Sequence, residues 1–206
     1  MTAPAPPPAF HMFWAGPALS LYEELCLTSF VARGQRVYLH SYHDLPRVPD
    51  GVIALDANEI LPAETVHQFT FENGATTPTV HANLFRYEAL RQLGGWYCDL
   101  DVVMLADSPP DTEIYFGRED DSHINCAVLR FPPNHPVMAA AAEAARGLMD
   151  STQWGTSGPR LFTRLVSDFG LQDRALPWAA AYPVRTTEVA LMFSPRHREM
   201  LEERAA

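Results

Sequence analysis

The chain of 206 residues is long enough for one domain with a sizeable core, and its 47% hydrophobic and 19% charged residues are typical of globular proteins. Its formal net charge of −10 disfavours a nucleic-acid partner, because phosphate backbones are bound by clustered cations. All fifteen basic residues are arginines, which excludes chemistry that depends on lysine, such as a P-loop or a Schiff base.

The cysteines and the first residues bear on the compartment. Three cysteines, few and far apart, form neither a zinc-binding spacing nor a disulfide framework, which favours a reducing compartment. Residues 1–9 are proline-rich and lack the basic start and apolar run of a signal peptide, so we expect a flexible tail. The apolar runs are too short for a membrane span. We therefore expect a cytoplasmic protein in which residues 10–206 form a single domain.

The first half of the chain predicts alternating strands and helices. Residues 10–14 predict a strand, and residues 17–32 predict a helix with Leu21, Leu25 and Phe30 on its buried side. Two more strands are predicted at residues 35–41 and 52–55. This order is typical of an α/β domain with a mostly parallel sheet.

The most informative stretch is residues 83–105, NLFRYEALRQLGGWYCDLDVVML. Its first half predicts a helix that begins near Pro78 and ends at Gly94 and Gly95. The apolar face of this helix carries Val80, Leu84, Tyr87 and Leu90. A strand is then predicted over residues 96–104.

Two aspartates lie within that predicted strand. In an extended backbone, Asp99 and Asp101 project to the same face. Adjacent carboxylates repel each other unless a cation lies between them, and a hard divalent cation shared with substrate phosphates is a common solution. The residues therefore predict a metal–phosphate site; a solvated acidic turn at the end of a strand is the alternative.

The second half of the chain adds further predicted elements. Residues 113–120 and 123–131 predict two strands of a mixed sheet. Residues 136–149 predict an alanine-rich helix that packs on the sheet. Another helix is predicted to open within residues 156–166, with Ser157 as a candidate N-cap, and the charged tail that ends at Ala206 is also predicted to be helical.

The stretch around the aspartates resembles the DXD region of sugar-nucleotide-dependent glycosyltransferases. More closely, it resembles a capsular-polysaccharide and mannosyltransferase-like family that is related to the clostridial glucosylating toxins. The pattern of that family runs S-D-x-x-R, a helix, then G-G-x-Y-x-D-x-D. The chain supplies Arg86, Gly94, Gly95, Tyr97, Asp99 and Asp101 at matching positions. It departs from the pattern at Asn83, where the family usually has aspartate.

The resemblance implies a GT-A-like, Rossmann-like fold and a metal-dependent transfer of sugar. The donor would be a nucleoside diphosphate sugar, expected to be a UDP-sugar, and the acceptor a glycan or other hydroxyl compound, with retention of anomeric configuration. A Mn²⁺ or Mg²⁺ ion on Asp99 and Asp101 would stabilise the leaving group, and Arg86 would add a second positive charge. No residue is identified as a covalent nucleophile.

The resemblance also implies which residues contact the donor. The first strand of the family ends in W-x-G, matched here by Trp14 and Gly16, and the tryptophan stacks on uracil in relatives. From the residues alone, a core tryptophan is an equally good interpretation. Asn125 corresponds to an asparagine that borders the donor sugar. The expected donor-binding set is Trp14, Asn83, Arg86, Tyr97, Asp99 and Asn125.

Two features near the C-terminus follow from the same resemblance. A Gly-Pro pair at residues 158–159 corresponds to a helix start that faces the active site in relatives, although a plain capped helix is the alternative. Relatives continue past a segment like residues 190–201 with a stretch that folds over the donor. The sequence stops at Ala206, so we expect the DXD edge of the pocket to be open on that side.

Two other functions compete with glycosyl transfer. A haloacid-dehalogenase-like phosphatase also carries D-x-D after an apolar strand, but it needs a lysine, which this chain lacks. A degenerate relative that binds nucleotide sugars without turning them over stays open, because Asn83 replaces the usual aspartate. Binding of UDP with Mn²⁺ but no hydrolysis would favour the binder.

Overall fold

The computed structural model describes residues 9–66, 69–70, 76–148, 155–184 and 186–205. The strands are β1 (Phe10–Trp14), β2 (Val37–Ser41), β3 (Val52–Asp56), β4 (Phe69–Thr70), β5 (Thr76–Thr77), β6 (Gly95–Cys98) and β7 (Val128–Phe131). The helices are α1 (Leu21–Val31), α2 (Thr79–Leu93), α3 (Pro136–Arg146), α4 (Pro159–Asp168), α5 (Trp178–Ala181) and α6 (Arg198–Ala205). Short 3₁₀ helices lie at Ala57–Glu59, Ala63–Thr65, Gln172–Arg174, Thr186–Phe193 and Pro195–His197.

The central sheet has five strands in the order β3-β2-β1-β6-β7. The first four are parallel, and β7 pairs antiparallel with β6. From β1 the chain runs outward to β2 and β3 and then returns through α2 to β6, on the other side of β1. The strand order therefore reverses between β1 and β6, and in open α/β sheets the carboxyl ends of the strands form a ligand crevice at such a point. The predicted mostly parallel α/β architecture is confirmed.

Helix α2 is the central helix of the core on one side of the sheet. Its predicted apolar residues Val80, Leu84, Tyr87 and Leu90 are all buried. The helix ends at Gly94, whose φ is +64°, and a Cβ atom there would lie 2.5 Å from the ring of Pro133. Glycine is required at this position for both reasons.

Helix α1 covers the other side of the sheet, and its predicted buried face is correct at Phe30 but wrong at Leu21 and Leu25. Leu21 and Leu25 are 75% and 55% exposed, whereas Cys26, Leu27 and Phe30 are buried. The helix begins at Leu21 after an N-cap at Ser20, four residues later than predicted. Apolar residues lie all around this helix, so their spacing does not indicate which side packs on the sheet.

The strand predicted to run through the two aspartates is shorter than expected. Strand β6 ends at Cys98, and the last hydrogen bond beyond it joins the Asp99 N–H to the Ala127 carbonyl at 2.8 Å. The chain then turns, and Leu100 is buried within the core on the α1 side of the sheet. Residues 102–105 form no strand, because they leave the sheet at this turn.

The two strands predicted at residues 113–120 and 123–131 are also shorter in the structure. Only Val128–Phe131 forms a continuous strand. Isolated bridges replace the rest, joining Tyr115 to Arg130, Arg118 to Ile124 and Gly117 to Leu176. The predicted helix at 136–149 begins at the expected residue and ends at Arg146.

The predicted N-terminal tail lies almost wholly outside the described residues. Residues 1–8 of the predicted tail are outside the described residues, and only Ala9 is within them. Ala9 is buried, and its carbonyl accepts a hydrogen bond of 3.0 Å from the Trp96 N–H. The packed domain therefore includes the last residue of the predicted tail.

None of the helices in the described ranges has the length and apolar character needed to cross a membrane.

Candidate functional site

A cavity of about 530 Å³ lies at the carboxyl ends of β1 and β6, where the strand order reverses. Its lining comes from the segment after β1, from α1, from the start of α2 and from the turn after β6. The lining residues are Phe13, Trp14, Ala15, Gly16, Glu23, Thr77, Pro78, Thr79, Ala82, Arg86, Asp99, Leu100 and Asp101. No described residue from 190 to 205 is among them.

A second cavity, of about 360 Å³, lies beside residues 102–106 and has a different character. Its lining includes Phe10, Phe30 and Trp96 and contains no ionisable carboxylate or guanidinium group. None of the predicted site residues lines it. The larger cavity is therefore the better candidate for a charged ligand.

Trp14 enters the larger cavity directly after β1. The indole N–H donates a hydrogen bond of 2.9 Å to the carbonyl of Ala18. A Cβ atom at Gly16 would lie only 2.9 Å from the indole nitrogen. The W-x-G spacing thus has a packing reason, because only glycine lets the ring lie against the turn that follows the strand.

Arg86 and Asp99 form a nearly buried ion pair at the floor of the cavity. One terminal guanidinium nitrogen, Nη2, donates to both Asp99 carboxylate oxygens, at 2.6 and 2.8 Å. The Arg86 side chain is 4% exposed and the Asp99 side chain 29%. Burial raises the pKa of the Asp99 carboxyl, and the guanidinium opposes that rise. Burial lowers the pKa of Arg86, but the Asp99 carboxylate, together with the smaller effects of Cys126, Tyr97 and Tyr87, raises it by more, so that the pKa of Arg86 is raised overall.

The second DXD carboxylate is in a different environment. Asp101 is exposed, and among the described residues no side chain pairs with its carboxylate. Its backbone carbonyl accepts a hydrogen bond of 3.0 Å from the Tyr22 hydroxyl. Both aspartates line the cavity, but the turn after β6, rather than the predicted strand alternation, brings them there. Asp99 is therefore paired with Arg86, whereas the Asp101 carboxylate is accessible to a ligand in the cavity.

Asn83 lies behind the cavity rather than in its lining. It is 6% exposed, and its side-chain carbonyl accepts a hydrogen bond of 2.5 Å from Nη1 of Arg86. Its amide nitrogen donates to the Ser157 hydroxyl at 3.1 Å. A Cβ atom at Gly158 would lie 3.0 Å from that nitrogen, so the start of α4 packs closely on Asn83. In this arrangement Asn83 orients Arg86.

The start of α4 differs from the prediction in one respect. Gly158, not Ser157, is the N-cap residue, and no side chain caps the helix. Ser157 instead receives the hydrogen bond from Asn83, and its backbone carbonyl lies 3.2 Å from the hydroxyl of Tyr87. The Gly-Pro pair therefore supports the residues around Arg86 and is not part of the cavity lining.

Tyr97 and Asn125 also lie outside the lining of the cavity. Tyr97 is 1% exposed in the core, and the guanidinium carbon of Arg86 lies 5.1 Å from the centroid of its ring. Asn125 precedes β7, where its side-chain oxygen accepts a hydrogen bond of 2.6 Å from the Ala127 N–H. The structure thus brings together Trp14, Arg86 and the two aspartates, and it places the other predicted donor contacts elsewhere.

Glu23 is a cavity residue that the sequence interpretation missed. One of its carboxylate oxygens accepts a hydrogen bond of 2.6 Å from the Ser20 N–H, in a capping box at the start of α1. The S-x-x-E spacing of residues 20–23 is the sequence signal for this arrangement. Thr77 and Thr79, whose hydroxyls lie 2.7 Å apart, add hydroxyl groups to the same cavity.

The cavity can accommodate a cation that is shared with a ligand. It contains the carboxylates of Glu23, Asp99 and Asp101 against the single guanidinium of Arg86. In the described part of the chain, no three His, Cys, Asp or Glu side chains are grouped so that they could hold a metal ion by themselves. Because both Asp99 oxygens are bonded to Arg86, the Asp101 carboxylate is the available ligand, and with phosphate oxygens and water it suits the octahedral preference of Mg²⁺. The donor set therefore fits an ion that binds together with a phosphorylated ligand.

The comparisons with known proteins establish the fold. No family model matches the sequence. Among solved structures, the chain is similar to one named "PaToxG Glycosyltransferase", with a TM-score of 0.58 and 13% sequence identity, over 82% of this chain and 72% of that one. At this identity the likeness concerns the fold and not the reaction. The chain has a GT-A-like glycosyltransferase fold, an α/β domain whose mostly parallel five-stranded sheet is flanked by helices.

Proposed function

We propose that the protein is a metal-dependent glycosyltransferase. It would transfer a sugar from a nucleoside diphosphate sugar, with UDP as the nucleotide, to a hydroxyl group of a glycan or other acceptor. The observation that carries this proposal is the single cavity at the strand-order reversal, which combines Trp14, Arg86 and both DXD carboxylates. The GT-A-like fold supports it. Retention of anomeric configuration is proposed from the family resemblance alone.

The charges in the cavity explain why a cation would be needed. With Asp99 paired to Arg86, the carboxylates of Glu23 and Asp101 leave the cavity negative. A diphosphate would be repelled, since two unit charges 4 Å apart interact by about 4 kcal/mol at an effective dielectric constant of 20. Asp101 would hold a divalent ion, whose charge would offset that repulsion. When bound, Mn²⁺ or Mg²⁺ supplies Lewis-acid stabilisation of the leaving group.

Arg86 would supply the fixed positive charge of the reaction. Its guanidinium is held by Asp99 on one side and by Asn83 and the Cys126 sulfur, 3.1 Å away, on the other. A hydrogen-bonding guanidinium that is already fixed in place when the reaction begins stabilises developing charge without a rearrangement of the site. Arg86 would therefore favour departure of the diphosphate while Trp14 holds the base.

The reducing character of the compartment is a separate proposal. Cys26, Cys98 and Cys126 are free and buried. Burial raises the pKa of the Cys26 and Cys126 thiols to about 11, so both stay protonated and unreactive at neutral pH. Free cysteines are typical of compartments in which thiols remain reduced, and this supports a cytoplasmic location.

The proposed function is tested by replacing Asp101. In Asp101→Ala, Mn²⁺-dependent hydrolysis of a panel of UDP-sugars, followed as release of UDP, should fall to background. The fold should be unchanged, because the carboxylate is exposed and unpaired among the described residues. Asp107→Ala removes an exposed carboxylate six residues away and should leave hydrolysis at the parental rate. Parental hydrolysis by Asp101→Ala would contradict the proposal, whereas Mn²⁺-dependent UDP binding without hydrolysis in the parent would favour the non-catalytic binder.

Trp14→Ala tests the stacking of the base. We expect UDP binding in Mn²⁺ to weaken by about 1–3 kcal/mol, the value of one stacked base. Binding of inorganic diphosphate should change little, because it lacks a base. Trp14→Phe, which keeps an aromatic face, should retain most of the UDP affinity. Calorimetric titrations measure the binding of UDP and of diphosphate to Trp14→Ala and the binding of UDP to Trp14→Phe. Equal losses for UDP and diphosphate would instead make Trp14 a packing residue whose removal distorts the cavity.

A further inference from the structure

The segment that carries Asp101, residues 101–105, is not held by the sheet. Strand β6 ends at Cys98, and the last sheet-like hydrogen bond is the one from Asp99 to Ala127. Leu100 is buried, which anchors the turn just before Asp101. Beyond this point the position of the segment depends on contacts with other elements.

Those contacts come from helix α1 and the residues just after it. The Tyr22 hydroxyl donates to the carbonyl of Asp101 at 3.0 Å. The Met104 N–H donates to the Ser29 hydroxyl at 2.9 Å, and the Arg33 guanidinium donates to the carbonyl of Leu105 at 3.2 and 3.3 Å. Tyr22 and Ser29 are seven residues apart, which places them on the same face of the helix.

We propose that Tyr22 is a positioning residue for the metal-binding carboxylate. Among the described residues no side chain holds the Asp101 carboxylate, so its place in the cavity is set by its backbone. Tyr22 fixes that backbone on one side, and the buried Leu100 fixes it on the other. The next residue along α1, Glu23, itself lines the cavity, so the start of the helix is in the correct place for this role.

This inference rests on the proposed function, in which Asp101 binds the ion together with the diphosphate. If Tyr22 positions that carboxylate, its loss weakens the ion's site while the contacts of Trp14 and Arg86 with the nucleotide remain. The defect should therefore be overcome by more Mn²⁺. A general loosening of the domain would instead weaken UDP binding equally at every Mn²⁺ concentration.

The experiment is a calorimetric titration of UDP into the parent and Tyr22→Phe at a series of Mn²⁺ concentrations. Tyr22→Phe should need about three- to tenfold more Mn²⁺ for half of its maximal UDP affinity, the effect of one hydrogen bond. At saturating Mn²⁺, the two proteins should bind UDP equally. Tyr38→Phe makes the same chemical change in β2 and should match the parent throughout.

The outcomes separate the two proposals. A parent that shows no Mn²⁺-dependent UDP binding overturns the proposed function itself. A parent that shows it, with Tyr22→Phe needing the same Mn²⁺ concentration, overturns the positioning role. A Tyr22→Phe variant whose UDP affinity stays low at saturating Mn²⁺ also overturns it. Should Tyr22→Phe fold poorly, Arg33→Gln, which removes the contact at Leu105, provides the same comparison at the other end of the segment.

Discussion

Asp99→Ala is expected to lower the free energy of unfolding by about 3 kcal/mol, although Asp99 lies in the motif that suggests a metal ligand. The reason is Arg86, whose 4% exposed guanidinium would lose its charge partner. Breaking a buried ion pair typically costs about 3–5 kcal/mol, and the 29% exposure of Asp99 places this pair at the lower end. Urea unfolding at neutral pH measures the change.

Two further variants make this result specific. Asp101→Ala removes the other carboxylate of the motif and should change the free energy of unfolding by no more than about 0.5 kcal/mol, as for other exposed sites. The double variant Asp99→Ala/Arg86→Met should be more stable than Asp99→Ala alone, because no unpaired charge stays buried. Equal stability losses for Asp99→Ala and Asp101→Ala would show that the ion pair is not the source of the effect.

Acidification from pH 7 to pH 4 is expected to destabilise the fold through two buried histidines. His11 and His40 lie on neighbouring strands, β1 and β2, with 3.0 Å between a ring nitrogen of each. Burial lowers the pKa of both to about 4, and the charge of Arg36 adds to the effect on His11. Their surroundings are aromatic, with Tyr38 beside His11 and Phe85 beside His40.

The sign of the pH effect follows from which state binds protons first. Well above the usual histidine pKa of 6.5, both histidines are neutral in the folded and unfolded states, so the full stability is present. Between pH 6.5 and pH 4 the unfolded state takes up protons that the folded state does not, and stability falls as the pH falls. One pKa unit corresponds to 1.36 kcal/mol, so the first histidine to be protonated contributes about 3 kcal/mol. Below pH 4 the loss should level off.

Urea unfolding at several pH values measures this slope, and two variants assign it. The double variant His11→Leu/His40→Leu should show a flatter dependence between pH 6.5 and pH 4 than the parent. Exposed His43 offers a control, since His43→Gln should keep the parental slope. The difference between the parent and the double variant removes the contributions of other groups. Parallel curves would mean that the two histidines bind protons equally in the folded and unfolded states, so that folding does not lower their pKa.

The α/β fold was predictable because its main elements have local signals. The 3.6-residue spacing on α2 identified a buried face, and Gly94 and Gly95 marked its end. Alternation of strands and helices indicated a mostly parallel sheet. By contrast, α1 is apolar on several sides, so its buried face depends on the sheet beneath it and could not be read from spacing.

The candidate site was predictable in part. Trp14, Arg86 and the two aspartates line one cavity, since the turns after β1 and β6 meet where the strand order reverses. The different states of the two aspartates depend on contacts between distant parts of the chain. Asp99 is paired with a residue of α2, and Asn83 is enclosed by residues more than 70 positions later. No local pattern encodes such pairings.

Titration of UDP with and without Mn²⁺ tests the central claim most directly. The claim is that the cavity binds a nucleoside diphosphate only with a cation on Asp101. Without that cation, the carboxylates of the cavity would repel the phosphates. Calorimetry on the full chain should show saturable UDP binding in Mn²⁺, loss of that binding when EDTA is added, and recovery when Mn²⁺ is restored in excess. Equal UDP affinity in Mn²⁺ and in EDTA, or no binding in either, would contradict the account.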